Sequence, residues 1–170
     1  MDSISTRVYP ESLHGSSGMP IFILDNLRSA FNVGSVFRTA EAVRPVAVFL
    51  TGICCRPGNR KLSHTSRGTH AEVPWRYFRD ALDAALWARG SGRTLVAVEN
   101  TAEAASLWDA DLPLSAAYML GNEAMGLSAG LSRIADLHVM IPQTGLRRCI
   151  NVSSTAAIVA AELLRRRSMG

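Results

Sequence analysis

Five short apolar runs, rich in β-branched residues, recur along the chain: PIFILDNL (20–27), VAVFLTGI (46–53), RTLVAVEN (93–100), SAAYMLGNE (115–123) and LHVMIPQT (137–144). Their centres are almost continuously hydrophobic, the pattern of strands covered on both faces rather than one. Between them the period lengthens to that of a helix, over 33–43, 79–90, 126–136 and 151–167. In the first helix Val33, Val36, Phe37 and Ala40 fall at i, i+3, i+4 and i+7, a single buried stripe. The alternation predicts an α/β fold: a mostly parallel sheet with helices on both faces. With no repeat or shift of composition, residues 1–170 read as one domain, in which 1–19 form a polar lead-in. Residues 54–76 read as a long irregular stretch, either functional or a plain solvated connection. In the last helix Val152, Ala156, Val159 and Leu163 face the core. Ala157, Ile158, Ala161 and Leu164 lie elsewhere around it, and a partner subunit is one way to cover that second side.

Polar residues interrupt this pattern in three places, each at the carboxyl end of a predicted strand, where ligands of open α/β sheets gather. In LDNLRSAFNVGSVFRTAEA (24–42) they are Asn26, Arg28, Asn32 and Arg38, with Gly34 among them. Each side chain has an ordinary explanation: Asn32 as a helix N-cap, Arg38 as a surface arginine pointing away from the stripe. Gly34 asks for more, since a helical glycine costs up to about 1 kcal/mol against alanine; close approach of a ligand or another chain would explain it. In LGNEAMGLS (120–128) Glu123 sits between Gly121 and Gly126, either as a helix-start carboxylate or in a loop whose backbone must approach something closely. In MIPQTGLRRCINVSS (140–154) Pro142 and Gly145 shape a loop, and Asn151 and Ser153 can cap the last helix.

Composition narrows the field. Hydrophobic content of 48% with 19% charged residues is that of a folded globular protein. No apolar run approaches the roughly 18 residues of a membrane span, and the N-terminus lacks signal-peptide order, so the cytoplasm is the expected compartment. Three cysteines (Cys54, Cys55, Cys149) and four histidines show no ligand spacing, and no metal is expected. Neither a glycine-rich dinucleotide turn, a P-loop nor a nucleophile elbow occurs. The net charge is +4 and Lys61 is the only lysine; so arginine-rich a surface suits a polyanion with phosphates and flat bases.

The three polar stretches, in this order and spacing, resemble the signature motifs of the SpoU/TrmH family of SPOUT methyltransferases. The first is asparagine, glycine and arginine after strand one (FNVGSVFRTAEA), the second a Gly-x-Glu-x-x-Gly loop (GNEAMG), the third an Ile-Pro strand end leading into an Asn-Val-Ser helix start (IPQTGLRRCINVSS). HTSRGTHAEVPW also resembles a family segment, and the resemblance spans about residues 20–165. It implies a C-terminal trefoil knot, a rare exception to the rules of chain topology, and a homodimer whose active site draws on both subunits. It implies S-adenosylmethionine bound by loops containing Val98, Glu99, Leu120, Gly121, Ile141 and Ile150. The reaction implied is methyl transfer to a ribose 2′-hydroxyl of RNA, with tRNA as substrate or alternatively rRNA.

By motif position Asn32, Arg38, Glu123 and Asn151 form the implied catalytic set. A guanidinium stays protonated, so Arg38 reads as a grip on the phosphate beside the target hydroxyl. Asn32 and Asn151 read as orienting groups, and Glu123 as a tie to backbone N–H groups or to Asn32. RNA contacts are expected from Arg28, Arg56, Arg60, Lys61, Arg67, Arg147 and Arg148. Arg165, Arg166 and Arg167 are either further contacts or a frayed, solvated helix end. Cys149 stands where the family commonly has serine, which removes a hydroxyl hydrogen bond near the donor, and Ile150 replaces leucine. The rival readings are a catalytically idle RNA-binding relative, a base-modifying methyltransferase and a small-molecule α/β enzyme.

Overall fold

The computed structural model describes residues 18–146 and 149–169. Its sheet has seven strands: β1 (Ile21–Leu24), β2 (Ala47–Thr51), β3 (Trp75–Phe78), β4 (Leu95–Val98), β5 (Ala105–Ser106), β6 (Ala117–Leu120) and β7 (Leu137–Met140). They lie in the order β3-β2-β1-β6-β4-β7-β5, and every pairing is parallel. Strands β1, β2, β4 and β6 are buried along their whole length, which is why their sequences show no polar alternation.

Successive side chains still separate to opposite faces of the sheet. Phe22, Leu24, Val48, Leu50, Tyr118 and Leu120 point to the face covered by α1 (Ala30–Ala42), α2 (Arg60–Ser66) and α5 (Val152–Arg167). Ile21, Ile23, Phe49, Ala97 and Met119 point to the other, covered by the alanines of α3 (Ala81–Gly90) and by Leu131 of α4 (Ala129–Ile134). The predicted stripe Val33, Val36, Phe37 and Ala40 is buried, as are Ala156, Val159 and Leu163 of α5. Among the described residues no helix is long and apolar enough to cross a membrane.

The stretch 54–76 is not irregular. It holds α2, a 3-10 turn at Thr69–Ala71 and the start of β3. Helix α2 escaped the sequence pattern because its only large apolar anchor is Leu62; its start is made by Asn59, whose side chain accepts from the N–H groups of Lys61 (2.9 Å) and Leu62 (3.3 Å). Strand β3 is an edge strand with a half-buried WRYF sequence, so it lacks the continuous apolar run of its neighbours. The helix predicted over 126–136 is confined to Ala129–Ile134, because Gly126, at φ +71°, still belongs to the preceding loop.

Gly34 owes its place to neither ligand nor second chain. It faces α2 of its own chain, where an added Cβ would collide with Thr65 Oγ1 and come within 2.9 Å of the Ser66 backbone nitrogen. Thr65 Oγ1 in turn donates to the Ala30 carbonyl at 3.0 Å, locking α2 onto α1.

The arginine triplet is neither frayed nor wholly a free surface. Glu162, 4% exposed, receives Arg165 through Nε (2.8 Å) and Nη2 (2.8 Å), and Arg166 through Nε (2.6 Å). The Arg165 hydrogen bonds, helped by those of Arg166, outweigh burial and hold the Glu162 carboxyl down at about 2. Arg166 also donates to the carbonyls of Leu107 and Trp108, and Arg167 to those of Val43, Arg44 and Pro45. The triplet fastens the end of α5 to two loops.

Gly34→Ala is therefore expected to destabilise the protein by about 1–3 kcal/mol, the range for overpacking, despite alanine's better helix propensity. Gly130→Ala in α4, where an added Cβ meets open space, should instead be neutral or gain up to about 1 kcal/mol. Urea unfolding of both variants measures the contrast, and equal losses would show that α2 does not press on Gly34.

Candidate active site

The carboxyl ends of β1, β6, β4 and β7 lie side by side, and their loops are tied together by polar side chains. Asp25, only 2% exposed, accepts from Asn26 Nδ2 through Oδ1 (2.9 Å) and from the Ser128 N–H through Oδ2 (2.8 Å). Asn26 sits at φ +54° and accepts the Ile53 N–H on its Oδ1 at 3.2 Å. Its carbonyl takes Asn122 Nδ2 at 2.6 Å. Loops from three strands thus converge on Asp25–Asn26. Sequence reasoning gave Asp25 and Asn122 no part. The available signal was an aspartate directly following an all-apolar strand, a place where a charge is buried only if fully bonded.

Gly121 and Gly126 close their loop upon itself. An added Cβ on Gly121 would strike the Gly126–Leu127 peptide, and Asn122 and Gly126 exchange backbone hydrogen bonds of 2.8 and 2.9 Å. The closure carries Glu123 to the start of α1. Glu123 Oε2 accepts the Arg28 N–H (3.2 Å), while Oε1 accepts the Ser29 N–H (3.2 Å) and Asn32 Nδ2 (2.9 Å). Burial alone would raise the Glu123 carboxyl; the hydrogen bonds from Asn32 and the backbone prevail and hold it below the usual range.

Asn32 is not the N-cap of α1. Ser29 is, its hydroxyl accepting the Asn32 N–H at 3.3 Å, which leaves the Asn32 side chain for other partners. Its Oδ1 accepts from Asn151 Nδ2 at 3.2 Å, and Asn151 Oδ1 caps α5 through the Ser153 N–H at 2.9 Å. Glu123, Asn32 and Asn151, which lie far apart in sequence, form one chain of hydrogen bonds.

Beside this chain opens a cleft of about 300 Å³ lined by Val98, Glu99, Leu120, Gly121, Ile141 and Ile150, all of the residues assigned from the sequence to the donor site. Glu123, Asn151 and the exposed Cys149 also border it, as do Asn100, Gln143 and Thr155, which the sequence reading did not single out.

Arg38 does not join them. It is exposed on a separate open groove between α1 and α5, with Ser35, Thr39, Ser153 and Ser154. Of the expected RNA contacts, Arg28, Arg56, Arg60, Lys61 and Arg67 are exposed. Arg60 and Lys61 open α2, Arg67 caps its end, and the Arg56 guanidinium lies 4.5 Å over the Tyr77 ring. Arg147 and Arg148 lie outside the described residues. Cys54 is structural: burial pushes its thiol up to about 11, and its sulfur accepts the Leu27 N–H. Among the described residues no group of three His, Cys, Asp or Glu could hold a metal ion.

The sequence model of the SpoU rRNA Methylase family matches residues 19–161. The chain belongs to that family. The match takes in Asn32, Arg38, Glu123 and Asn151 and stops short of the arginine triplet of α5. Among its SpoU relatives is the tRNA (guanosine(18)-2′-O)-methyltransferase of Thermus thermophilus, 29% identical over 148 residues, or 85% of this chain and 74% of that protein. The tRNA (guanosine(18)-2′-O)-methyltransferase TARBP1 of Mus musculus is 30% identical over 141 residues, 82% of this chain. The chain spans only 9% of the mouse protein's length. Among solved structures, an AdoMet-bound rRNA methyltransferase from Sinorhizobium meliloti superposes with a TM-score of 0.83 at 25% identity, over 92% of this chain and 59% of that one.

Glu123 serves as an anionic tie at the start of α1, so Glu123→Gln should lower stability at neutral pH by about 1 kcal/mol, the scale of an exposed charge-assisted bond. The folded carboxyl titrates below its unfolded value of about 4.5, so this stability is complete above that value and lost as pH falls beneath it. Thermal melts from pH 7 downward should show the gap between wild type and variant closing below about pH 4.5; a gap independent of pH would refute the anionic tie.

Proposed function

We propose that this chain is an S-adenosylmethionine-dependent RNA 2′-O-ribose methyltransferase, acting in the cytoplasm as a homodimer on tRNA, with rRNA as the alternative substrate. The observation that carries the reading is the adjacency of the cleft and the Glu123–Asn32–Asn151 chain, which brings all three motif regions to one place. The names of its relatives, tRNA and rRNA methyltransferases among them, support both the reaction and the substrate class.

The cleft suits the donor. Val98, Leu120, Ile141 and Ile150 provide apolar walls for an adenine ring, and Glu99, Gln143 and Thr155 provide polar groups for the remainder. When bound, the sulfonium supplies an activated methyl group, so the protein's task is chiefly alignment. Glu123 holds Asn32, and Asn32 holds Asn151; the two amides, fixed in this way, orient the ribose at the mouth of the cleft. Arg38 grips the phosphate next to the target hydroxyl and polarises it, its planar fork matching two phosphate oxygens. The exposed apolar side of α5, with Ala157, Ala161 and Leu164, supplies a dimer contact next to the groove that holds Arg38. In such a dimer Arg38 serves a site shared between the two copies. The threaded carboxyl terminus of the family belongs to the same reading, supported by the return of α5 from the β7 side to pack on α1.

The test is transfer from methyl-labelled S-adenosylmethionine to total tRNA and, separately, rRNA, followed by nucleoside analysis. Label on 2′-O-methyl ribose is expected. Arg38→Ala should reduce turnover by about 10²- to 10³-fold, the scale for loss of one electrostatic contact at a reacting centre. Full turnover by Arg38→Lys at saturating RNA would overturn the bidentate grip. Label on a base would make the protein a base methyltransferase, and RNA and donor binding without transfer an idle relative.

A further inference from the structure

Of the described aromatic side chains Phe31 is the most exposed, at 68%. Among the described residues its ring meets no other ring. It is the second residue of α1, and Phe31, Ser35 and Arg38 recur at i, i+4 and i+7, so the three share one face of that helix. Ser35 and Arg38 line the open groove between α1 and α5. Phe31 continues their stripe to the start of the helix, one position before Asn32. A lone exposed apolar residue is ordinary on a protein surface, so its surroundings decide what it is for.

Three exposed cations stand near it. Arg28 comes just before the cap of α1, its backbone N–H held by Glu123 Oε2 at 3.2 Å. Lys61 is brought in by α2: Thr65 Oγ1 lies 3.0 Å from the Ala30 carbonyl oxygen and 2.9 Å from that of Lys61, so the first turns of the two helices meet. Arg38 follows two turns along α1, about 10 Å up the axis. Among the described residues none of the three side chains has a carboxylate partner. The carboxylate at this turn, Glu123, is taken up by the Arg28 and Ser29 N–H groups and by Asn32. A flat apolar ring among unpaired cations matches a single strand of nucleic acid, whose phosphates meet the cations and whose open bases stack on the ring. In a duplex those base faces are already covered. Because Asn32 is the next residue, a base on Phe31 lies one residue from the amides that orient the ribose.

We propose that Phe31 is the stacking platform for an unpaired base of the RNA substrate, and that Arg28 and Lys61 hold phosphates beside that base. The inference rests on the RNA reading given above, but not on the methyl transfer. It is tested by fluorescence anisotropy with a short oligouridylate and with an abasic oligomer carrying the same number of phosphates. Melting temperatures and sedimentation check the fold and oligomeric state of each variant. Wild type should prefer the oligouridylate by about 5- to 150-fold, the scale of one base stacked on an aromatic ring. Phe31→Ala should bring the two oligomers within about threefold of each other without changing the salt dependence. Phe31→Tyr should restore the preference, and Phe31→Leu, equally apolar but not aromatic, should not. Arg28→Ala and Lys61→Ala should weaken both oligomers alike and each lower the salt slope by about 0.7, the value for one phosphate of a single strand. Leu86→Ala, at an exposed site of α3 on the opposite face of the sheet, should change nothing. A wild type without the preference, or a Phe31→Ala or Phe31→Leu variant that keeps it, overturns the stacking role. Unchanged slopes in Arg28→Ala and Lys61→Ala overturn the phosphate role. A Phe31→Ala variant that loses self-association makes the ring a contact between copies of the chain and also overturns the proposal. A wild type that binds neither oligomer overturns this inference, and one that fails to bind tRNA as well overturns the RNA reading with it. Binding as expected with no methyl transfer overturns only the reaction.

Discussion

A buried carboxylate is costly unless its oxygens are hydrogen-bonded, and Asp25 meets that demand by joining loops that the chain would otherwise leave separate. With 2% exposure it holds the Ser128 backbone from the β6–α4 loop and the Asn26 side chain from its own turn. Asn26 then holds the β2 loop through Ile53 and the β6 loop through Asn122. Only with these loops in register does Glu123 reach the first turn of α1. The hydrogen-bond chain bordering the cleft depends on a residue that touches no part of it.

Three further carboxylates show how differently the same group is used. Glu162 is nearly enclosed and saturated by two arginines, an arrangement that fixes a helix end. Glu123 is exposed but saturated by N–H groups, and it sets the position of an asparagine. Glu99 borders the cleft, where Ser132 Oγ donates to its Oε1 at 2.7 Å and His138 Nδ1 lies 3.3 Å from the same oxygen.

What could be read from the sequence follows from what each element needs. The central strands and α1 were legible because they are buried in a regular period, and Leu120, Gly121 and Ile141, which line the cleft, stand in motifs that follow predicted strands. Helix α2 and strand β3 were not, since one is short with a single large apolar anchor and the other lies at a sheet edge. Gly34 was read as a point of close approach by a ligand or another chain; the neighbour is instead Thr65 of the same chain, which nothing in the sequence could name because α2 was itself invisible. For the arginine triplet, charge alone could not reveal carbonyl partners contributed by loops more than fifty residues away.

Arg38 carries the remaining argument. An arginine that serves only the fold normally has a carboxylate or carbonyls to bond, as Arg165, Arg166 and Arg167 do. Arg38 has no such partner among the described residues. The carboxylate that shares its groove, Glu41, is engaged with Arg44 at 3.2 Å. The groove therefore keeps an uncompensated cation, bordered by the hydroxyl-bearing residues Ser35, Thr39, Ser153 and Ser154, all short enough to leave the guanidinium accessible. Arginine beside hydroxyl donors, with the one carboxylate of the groove turned to another arginine, is a chemistry suited to phosphate. Ser153 connects this groove to the site, because its backbone N–H and hydroxyl both bond to Asn151. A phosphate drawn to Arg38 would thus lie against the same turn of α5 that ends the Glu123–Asn32–Asn151 chain, so a residue outside the cleft is coupled to its border through one turn of one helix.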